Sequence, residues 1–210
     1  MKKKQLEMFL QKIPNFTQPK PFLEQYQTPA TIASDVLFFA YQQQDVQDKT
    51  VVDLGCGTGI FSVGASVLGA RNVIGIDKDI DCISVAKTFS KKHDLNISYI
   101  AQDVSESSFT ADTVLMNPPF GAQKGNIHAD HVFLKKAFQN ASVVYSLHLT
   151  KTLDHLKRFM KSLGADIETI LTFDFPLKGQ FEFHKKLVEN VSVSCLRIVH
   201  STAEKEEAYR

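Results

Sequence analysis

No stretch of this chain approaches the roughly 18 to 20 consecutive apolar residues of a membrane-spanning helix, and Met1-Lys2-Lys3-Lys4 is not followed by the apolar core of a signal peptide. Cysteine is scarce. Cys56, Cys82 and Cys195 are odd in number and lack metal-type spacing, so they fit reduced thiols of a cytosolic protein better than a disulfide framework. Net charge is almost absent, with 24 Lys and Arg against 23 Asp and Glu, so only local basic clusters can argue for a polyanionic partner. There is no internal repeat and no domain-scale linker. These absences together lead us to expect a soluble, cytoplasmic protein.

What is present is ordinary globular composition, 43% hydrophobic and 22% charged over 210 residues, enough for one domain with a real core. The first segment, 2–12, is basic and mildly amphipathic, and the prolines between 14 and 21 preclude a continuous helix. Leu23-Glu24-Gln25-Tyr26-Gln27-Thr28-Pro29 leads into a helix in which Thr28 reads as the N-cap, Pro29 as the first helical residue, and Ile32, Val36 and Phe39 as one face. From residue 50 the pattern is strand, turn, helix, repeated. Strands are expected at 50–54, 72–76, 96–101, 112–116, 142–147, 166–173 and 191–199. Helices marked by Ile60 to Leu68, by Ile80, Ile83 and Ala86, by Phe133, Leu134, Ala137 and Phe138, and by Leu153, Leu156, Met160 and Leu163 lie between them. Gly69 and Gly164 close two of these helices. The polar tail, 201–210, stands apart from a single domain spanning 1–200.

Alternation of this kind predicts an α/β fold with a mostly parallel sheet covered on both faces, and ligands outside the carboxyl ends of its strands. The chemistry-bearing residues fall at those ends. Gly55, Gly57 and Gly59 allow a tight turn and close backbone approach to a ligand; Asp77, at the end of the next strand, can accept from ribose hydroxyls. Asp103 after the third strand can accept from an adenine amine, with Val104 against the ring. Asn117-Pro118-Pro119-Phe120-Gly121 follows the fourth strand and combines a side-chain amide, two rigid prolines and an aromatic ring, the composition of a site for a flat, amine-bearing substrate. By themselves these five residues allow adenine, cytosine or glutamine.

Asp53-Leu54-Gly55-Cys56-Gly57-Thr58-Gly59 with Asp77, Asp103 and Asn117 to Phe120 resembles the S-adenosylmethionine-dependent methyltransferases that modify exocyclic amines. Addition of Leu23 to Pro29, of His128-Ala129-Asp130 with Phe133-Leu134, and of Phe183-His184-Lys185-Lys186 makes the chain similar to a narrower family. These are the methyltransferase-like enzymes that make N6-methyladenosine in small-subunit ribosomal RNA, in an archaeal-type form. The resemblance implies a Rossmann-like class I fold with strand order 3-2-1-4-5-7-6 and a helical segment, 1–45, closing over the site. It implies S-adenosylmethionine as cofactor, contacted by Gln25, Tyr26, Thr28, Asp53, Gly55, Gly57, Gly59, Asp77, Asp103, Val104 and Asn117. The implied catalytic residues are Asn117, Pro118, Pro119 and Phe120. Asn117 Oδ1 and the Pro118 carbonyl would each take an amine hydrogen while Phe120 stacks on the base.

Phe181 and Phe183 interleaved with His184, Lys185 and Lys186 read by themselves as a solvated, charge-rich hairpin, whereas the family resemblance implies a ribosomal RNA contact there, cations on phosphate and rings on bases. Gln123, Lys124 and Asn126 read as a rim, and His128 and His131 as residues at a helix start, with no metal ligands expected. The family resemblance further implies a small zinc-binding activator protein added to the uncharged edge strand 97–101. Methylation of a protein glutamine or a DNA adenine is the alternative activity, and an inactive RNA-binding scaffold a third reading.

Overall fold

The computed structural model describes residues 1–16, 18–120, 129–178 and 188–201. The elements are α1 (Lys3–Leu10), α2 (Ala30–Gln42), β1 (Thr50–Leu54), α3 (Ile60–Val67), β2 (Asn72–Asp77), α4 (Ile80–Lys92), β3 (Ser98–Ala101), β4 (Ala111–Met116), α5 (Ala129–Asn140), β5 (Ala141–Leu149), α6 (Leu153–Lys161), β6 (Ala165–Lys178) and β7 (Val188–His200). They build a seven-stranded sheet in the order β3-β2-β1-β4-β5-β7-β6. Strands β1 to β5 are mutually parallel, while β7 runs antiparallel to both β5 and β6. The order reverses between β1 and β4, and that reversal opens a crevice at their carboxyl ends.

The central strands read as unbroken apolar runs because both faces are covered. Along β4, Val114 and Met116 point into the core shared with Leu134 of α5 and Leu156 of α6, whereas Leu115 points to the opposite core of α1, α2 and α3. In that second core α3 crosses close over α2. A Cβ on Gly64 would run into the Leu37 side chain, so any larger residue at 64 would force Leu37 to shift. The turn after α2 is tied to the distant sheet through Asp45, whose Oδ2 accepts from Tyr145 Oη at 2.6 Å and from Arg197 Nη2 at 3.0 Å.

Most elements match their expected spans, and the exceptions have topological causes. The third strand was expected to begin at Asn96, but pairing with β2 starts only at Ile74 opposite Ser98. β5 extends to Leu149 because antiparallel β7 continues alongside it to Val193, and β6 runs on to Lys178 opposite Val188. Pairing of this kind depends on a distant segment and leaves no local sequence signal. Gly69 at φ 88° and Gly164 at φ 80° close α3 and α6 as expected. The tail, 202–210, lies outside the described residues. Among the described residues no helix is long and apolar enough to cross a membrane.

Candidate active site

At the reversal point lies a cavity of about 440 Å³, within the roughly 300 to 1,000 Å³ usual for small-molecule sites. The turn between β1 and α3 forms its floor. Gly55 and Cys56 donate their N–H groups to the Ile76 carbonyl at 2.8 and 3.0 Å, and Gly57 N–H donates to Asp77 Oδ2 at 2.8 Å. Gly55 sits at φ 75°, and a Cβ there would approach Phe133 Cε1 to 2.9 Å, so both backbone conformation and space demand glycine. Asp77 Oδ1 accepts from Asp79 N–H at 2.9 Å. Each carboxylate oxygen retains acceptor capacity, and burial pushes the carboxyl's pKa above its ordinary value.

Asp103 stands beyond the end of β3, on the next strand over. Its Oδ1 accepts from Ser105 N–H and Oγ at 2.9 and 2.7 Å, bonds that hold the carboxyl below its usual pKa, and its Oδ2 lies 3.9 Å from Lys78 Nζ. It therefore caps the short 3-10 turn Val104–Glu106 and faces the cavity as well. Buried Val104 supplies an apolar surface beside it.

The opposite wall comes from the N-terminal segment. Phe16 covers the glycine turn, its Cζ 3.1 Å from where a Cβ on Gly57 would be. Leu23, Glu24, Gln25 and Tyr26 follow along the lining. The segment is strapped to the start of α4: Lys20 Nζ reaches Asp79 Oδ1 at 2.6 Å and Asp81 Oδ2 at 3.0 Å, and Gln25 Nε2 donates to Asp79 Oδ2 at 2.7 Å. Gln25 Oε1 in turn accepts from Lys20 N–H at 2.7 Å, so both ends of the Gln25 amide are engaged within the strap. Burial and the Glu24 carboxylate raise the pKa of Tyr26.

Asn117 directly follows β4 and lines the cavity. Its Nδ2 donates to Thr28 Oγ1 at 3.0 Å, and its Oδ1 is buried without a hydrogen-bond partner among the described residues. The expected N-cap at Thr28 is thus corrected. α2 begins at Ala30 with Pro29 at the cap position and no side-chain cap bond, because the Thr28 hydroxyl is turned toward Asn117. Pro119 lines the cavity and Pro118 is buried beside it. Phe120 packs edge-on against Phe175 of β6, ring centres 6.1 Å apart.

Three expected cofactor contacts fall elsewhere: Thr28, held by Asn117, is off the cavity lining, as are Asp53 and Gly59. Asp53 is 1% exposed beneath the turn and off the cavity lining, where its Oδ2 accepts from Ser62 N–H and Oγ at 2.7 and 2.6 Å. Burial drives its pKa up to about 7 against those bonds, with the Asp77 charge adding to the rise. Asp53 therefore binds α3 to β1. Gly59 also lies off the lining; a Cβ there would meet Tyr99 Oη at 2.8 Å. Residues 121–128 and 179–187, which include Gly121, Gln123, Lys124, Asn126, His128, Phe183, His184, Lys185 and Lys186, lie outside the described residues. Among the described residues no group of three or more His, Cys, Asp or Glu is placed to hold a metal.

The lining residues not assigned to the site from sequence are Phe16, Lys78, Ser105 and Val132, together with Leu23, Glu24, Ala129 and Phe133, which stood only in the family motifs. Phe133 carried a signal in the Phe133-Leu134 pair of the family motif; it packs partly against the core that holds Leu134 and also reaches the cavity wall. Phe16 carried none, since only the chain's return over residues 55–57 brings it to the site.

Strand order, the antiparallel seventh strand and a glycine turn with acidic residues at successive strand ends define a class I S-adenosylmethionine-dependent methyltransferase fold. The methyltransferase small domain model matches residues 29–143. The rRNA N(6)-adenosine-methyltransferase METTL5 of Danio rerio is 39% identical over 94% of this chain and 98% of its own length. Protein MJ0284 of Methanocaldococcus jannaschii is 37% identical over 94% of each chain. The crystal structure of PH1948 from Pyrococcus horikoshii superposes with a TM-score of 0.89 at 38% identity, covering 96% of this chain and 98% of that one. The chain belongs to the methyltransferase small domain family, alongside the METTL5 proteins, and is an enzyme of the methyltransferase class.

Proposed function

We propose that this protein methylates the N6 amine of an adenosine in small-subunit ribosomal RNA, with S-adenosylmethionine as donor and the cytoplasm as its place of work. The observation that carries the reading is the Asn117 amide. Its nitrogen is pinned by Thr28 and its buried oxygen is left as an acceptor at the end of β4. The METTL5 relatives of Danio rerio and Drosophila melanogaster, named as rRNA N(6)-adenosine-methyltransferases, support the nucleic-acid substrate.

The lining suits the donor. Asp77 offers acceptor oxygens for ribose hydroxyls, Asp103 Oδ2 can accept from an adenine amine, Val104 meets the ring, and Gly55 and Gly57 let the backbone come close. When bound, S-adenosylmethionine supplies a methyl group made electrophilic by its sulfonium.

On the substrate side, adenine's amine is a poor nucleophile because its lone pair is delocalised into the ring. Asn117 Oδ1 accepts one amine hydrogen and the Pro118 carbonyl the other, drawing the nitrogen toward tetrahedral geometry with its lone pair freed. The prolines hold that carbonyl without entropy loss on binding. Phe120, braced by Phe175, stacks on the base. The nitrogen becomes cationic on accepting the methyl group and then loses a proton, so no strong general base is required. Holding two reactants in line can supply up to roughly 7 to 11 kcal/mol of the barrier. The target must be unpaired or flipped out, since the amine is otherwise engaged in the duplex.

Two further elements belong to this reading. RNA contact by Phe183, His184, Lys185 and Lys186 is retained from the sequence. The small zinc-binding activator is assigned to β3, an edge of the sheet on which Ile100 is 42% exposed. The test supplies labelled S-adenosylmethionine with small-subunit ribosomal RNA, DNA or a release factor, and maps methylated adenosines. Transfer to RNA alone supports the reading; transfer to glutamine or DNA replaces it. Asn117→Ala is expected to lower transfer roughly a hundredfold or more while cofactor binding stays near wild type; undiminished turnover would remove its assigned role.

A further inference from the structure

Outside the cavity, α5 and α6 bring three rings into one column. His131 lies flat against Phe159, ring centres 4.2 Å apart and planes 7° apart, and His155 stacks near His131 at 5.1 Å and 20°. The column adjoins the methyl-transfer site, because the first turn of α5 that carries His131 also gives Ala129, Val132 and Phe133 to the cavity wall. On α6, His155, Arg158 and Phe159 are spaced i, i+3, i+4 and so form one stripe. Leu153, Leu156 and Met160 anchor the helix to the sheet, while His155 and Arg158 remain exposed.

The surroundings are cationic. Residues 151–161 place Lys151, Lys157, Arg158 and Lys161 against the single carboxylate of Asp154, while on α5 exposed Lys135 follows His131 by one turn and Asp130, whose Oδ1 accepts from His131 N–H at 2.9 Å, precedes it. At the start of α6, Thr150 Oγ1 lies 2.8 Å from Ser192 Oγ and 3.0 Å from Ser194 Oγ, with Thr172 Oγ1 3.1 Å from the latter. Thr172 and Ser192 are exposed there, and hydroxyls of this kind can bond phosphate or ribose oxygens.

We propose that this α5/α6 face binds the single-stranded RNA flanking the target adenosine, with a base stacked on the His131–His155–Phe159 column and phosphates on the cations of α6. Flat histidine and phenylalanine rings are stacking partners for unpaired bases, and the adjacent positive charge matches a phosphate backbone. The inference rests on the RNA reading above and adds a surface that the loop at 183–186 does not include.

The test uses the full chain and single-stranded RNA oligonucleotides from small-subunit ribosomal RNA, one cut to the target adenosine with its immediate neighbours and one extended on both sides. Wild type should bind the extended RNA more tightly. His131→Ala/His155→Ala should weaken that binding at least fivefold and leave the short RNA little affected. Lys157→Glu/Arg158→Glu should flatten the dependence of log affinity on log salt by roughly one to two units. The S-adenosylmethionine dissociation constant, unchanged, certifies the fold, and exposed His155→Ala alone serves if the double variant is unstable. A wild type that methylates RNA while the variants bind extended RNA normally overturns this surface alone. A wild type that neither binds nor methylates ribosomal RNA overturns the substrate reading and the surface together.

Discussion

Asn117 Nδ2 donates to Thr28 Oγ1 at 3.0 Å across 89 positions of sequence, and this bond sets which end of the amide is left without a partner. With nitrogen committed to threonine, oxygen is the group left buried and open. Thr28→Val keeps the shape and removes the acceptor, so the amide is free to rotate. A hydrogen bond of this type is worth about 0.5 to 1.5 kcal/mol, so transfer should fall roughly twofold to thirteenfold. Thr28→Ser should restore it. Equal rates for Val and Ser variants would show that the bond does not orient the amide.

Gly55 meets Phe133 where the glycine turn touches α5. Gly55→Ala places a methyl 2.9 Å from Phe133 Cε1 at φ 75°, so both strain and collision act. Cofactor affinity should drop at least tenfold. Adding Phe133→Leu relieves the collision and leaves the strain, so the double variant should recover part of the loss. Isothermal titration separates the two contributions; full recovery would mean that the backbone conformation is unstrained by alanine.

The strap over the cavity depends on Asp79, which holds both Lys20 and Gln25. Burial alone would raise this carboxyl, but the bonds from Lys20 and Gln25 outweigh it and bring its pKa down to about 2. Its contribution to stability is therefore full above the ordinary carboxylate range and lost as pH falls through about 2. Gln25→Ala with Lys20→Met should release residues 18–26. Their amide hydrogen exchange should quicken about tenfold and the cofactor KM should rise. Unaltered exchange would mean that Phe16 and Leu23 hold the strap unaided.

Asp53 shifts the opposite way, its pKa raised to about 7 by burial. Unfolded, it loses its proton near the usual value of about 3.9, so between that pH and 7 the folded state binds more protons. Its contribution to stability must therefore decline as pH rises through this window and level off above it. Asp53→Asn removes the titration. Thermal melts should show wild type losing ground to the variant from pH 5 to pH 8; parallel curves would mean that Asp53 ionises normally.

Much of the fold was legible in order along the chain, because strands buried on both faces are short apolar runs, helices show 3.6-residue spacing, and glycine closes what it follows. Thr50–Leu54, the turn at Gly55 to Gly59, Asp77, Asp103 and Asn117 were readable for the same reason: each is a local composition at a strand end. Residue roles were less legible. Thr28 has the local look of a helix cap and Asp53 that of a cofactor ligand, yet one orients Asn117 and the other anchors α3. Phe16 over Gly57, Phe133 against Gly55 and His131 on Phe159 join segments far apart in sequence. Sequence by itself determined which groups stand at the strand ends, since periodicity and turn chemistry act over a few residues. Only the tertiary structure decided what faces them, because packing between distant segments has no local signature.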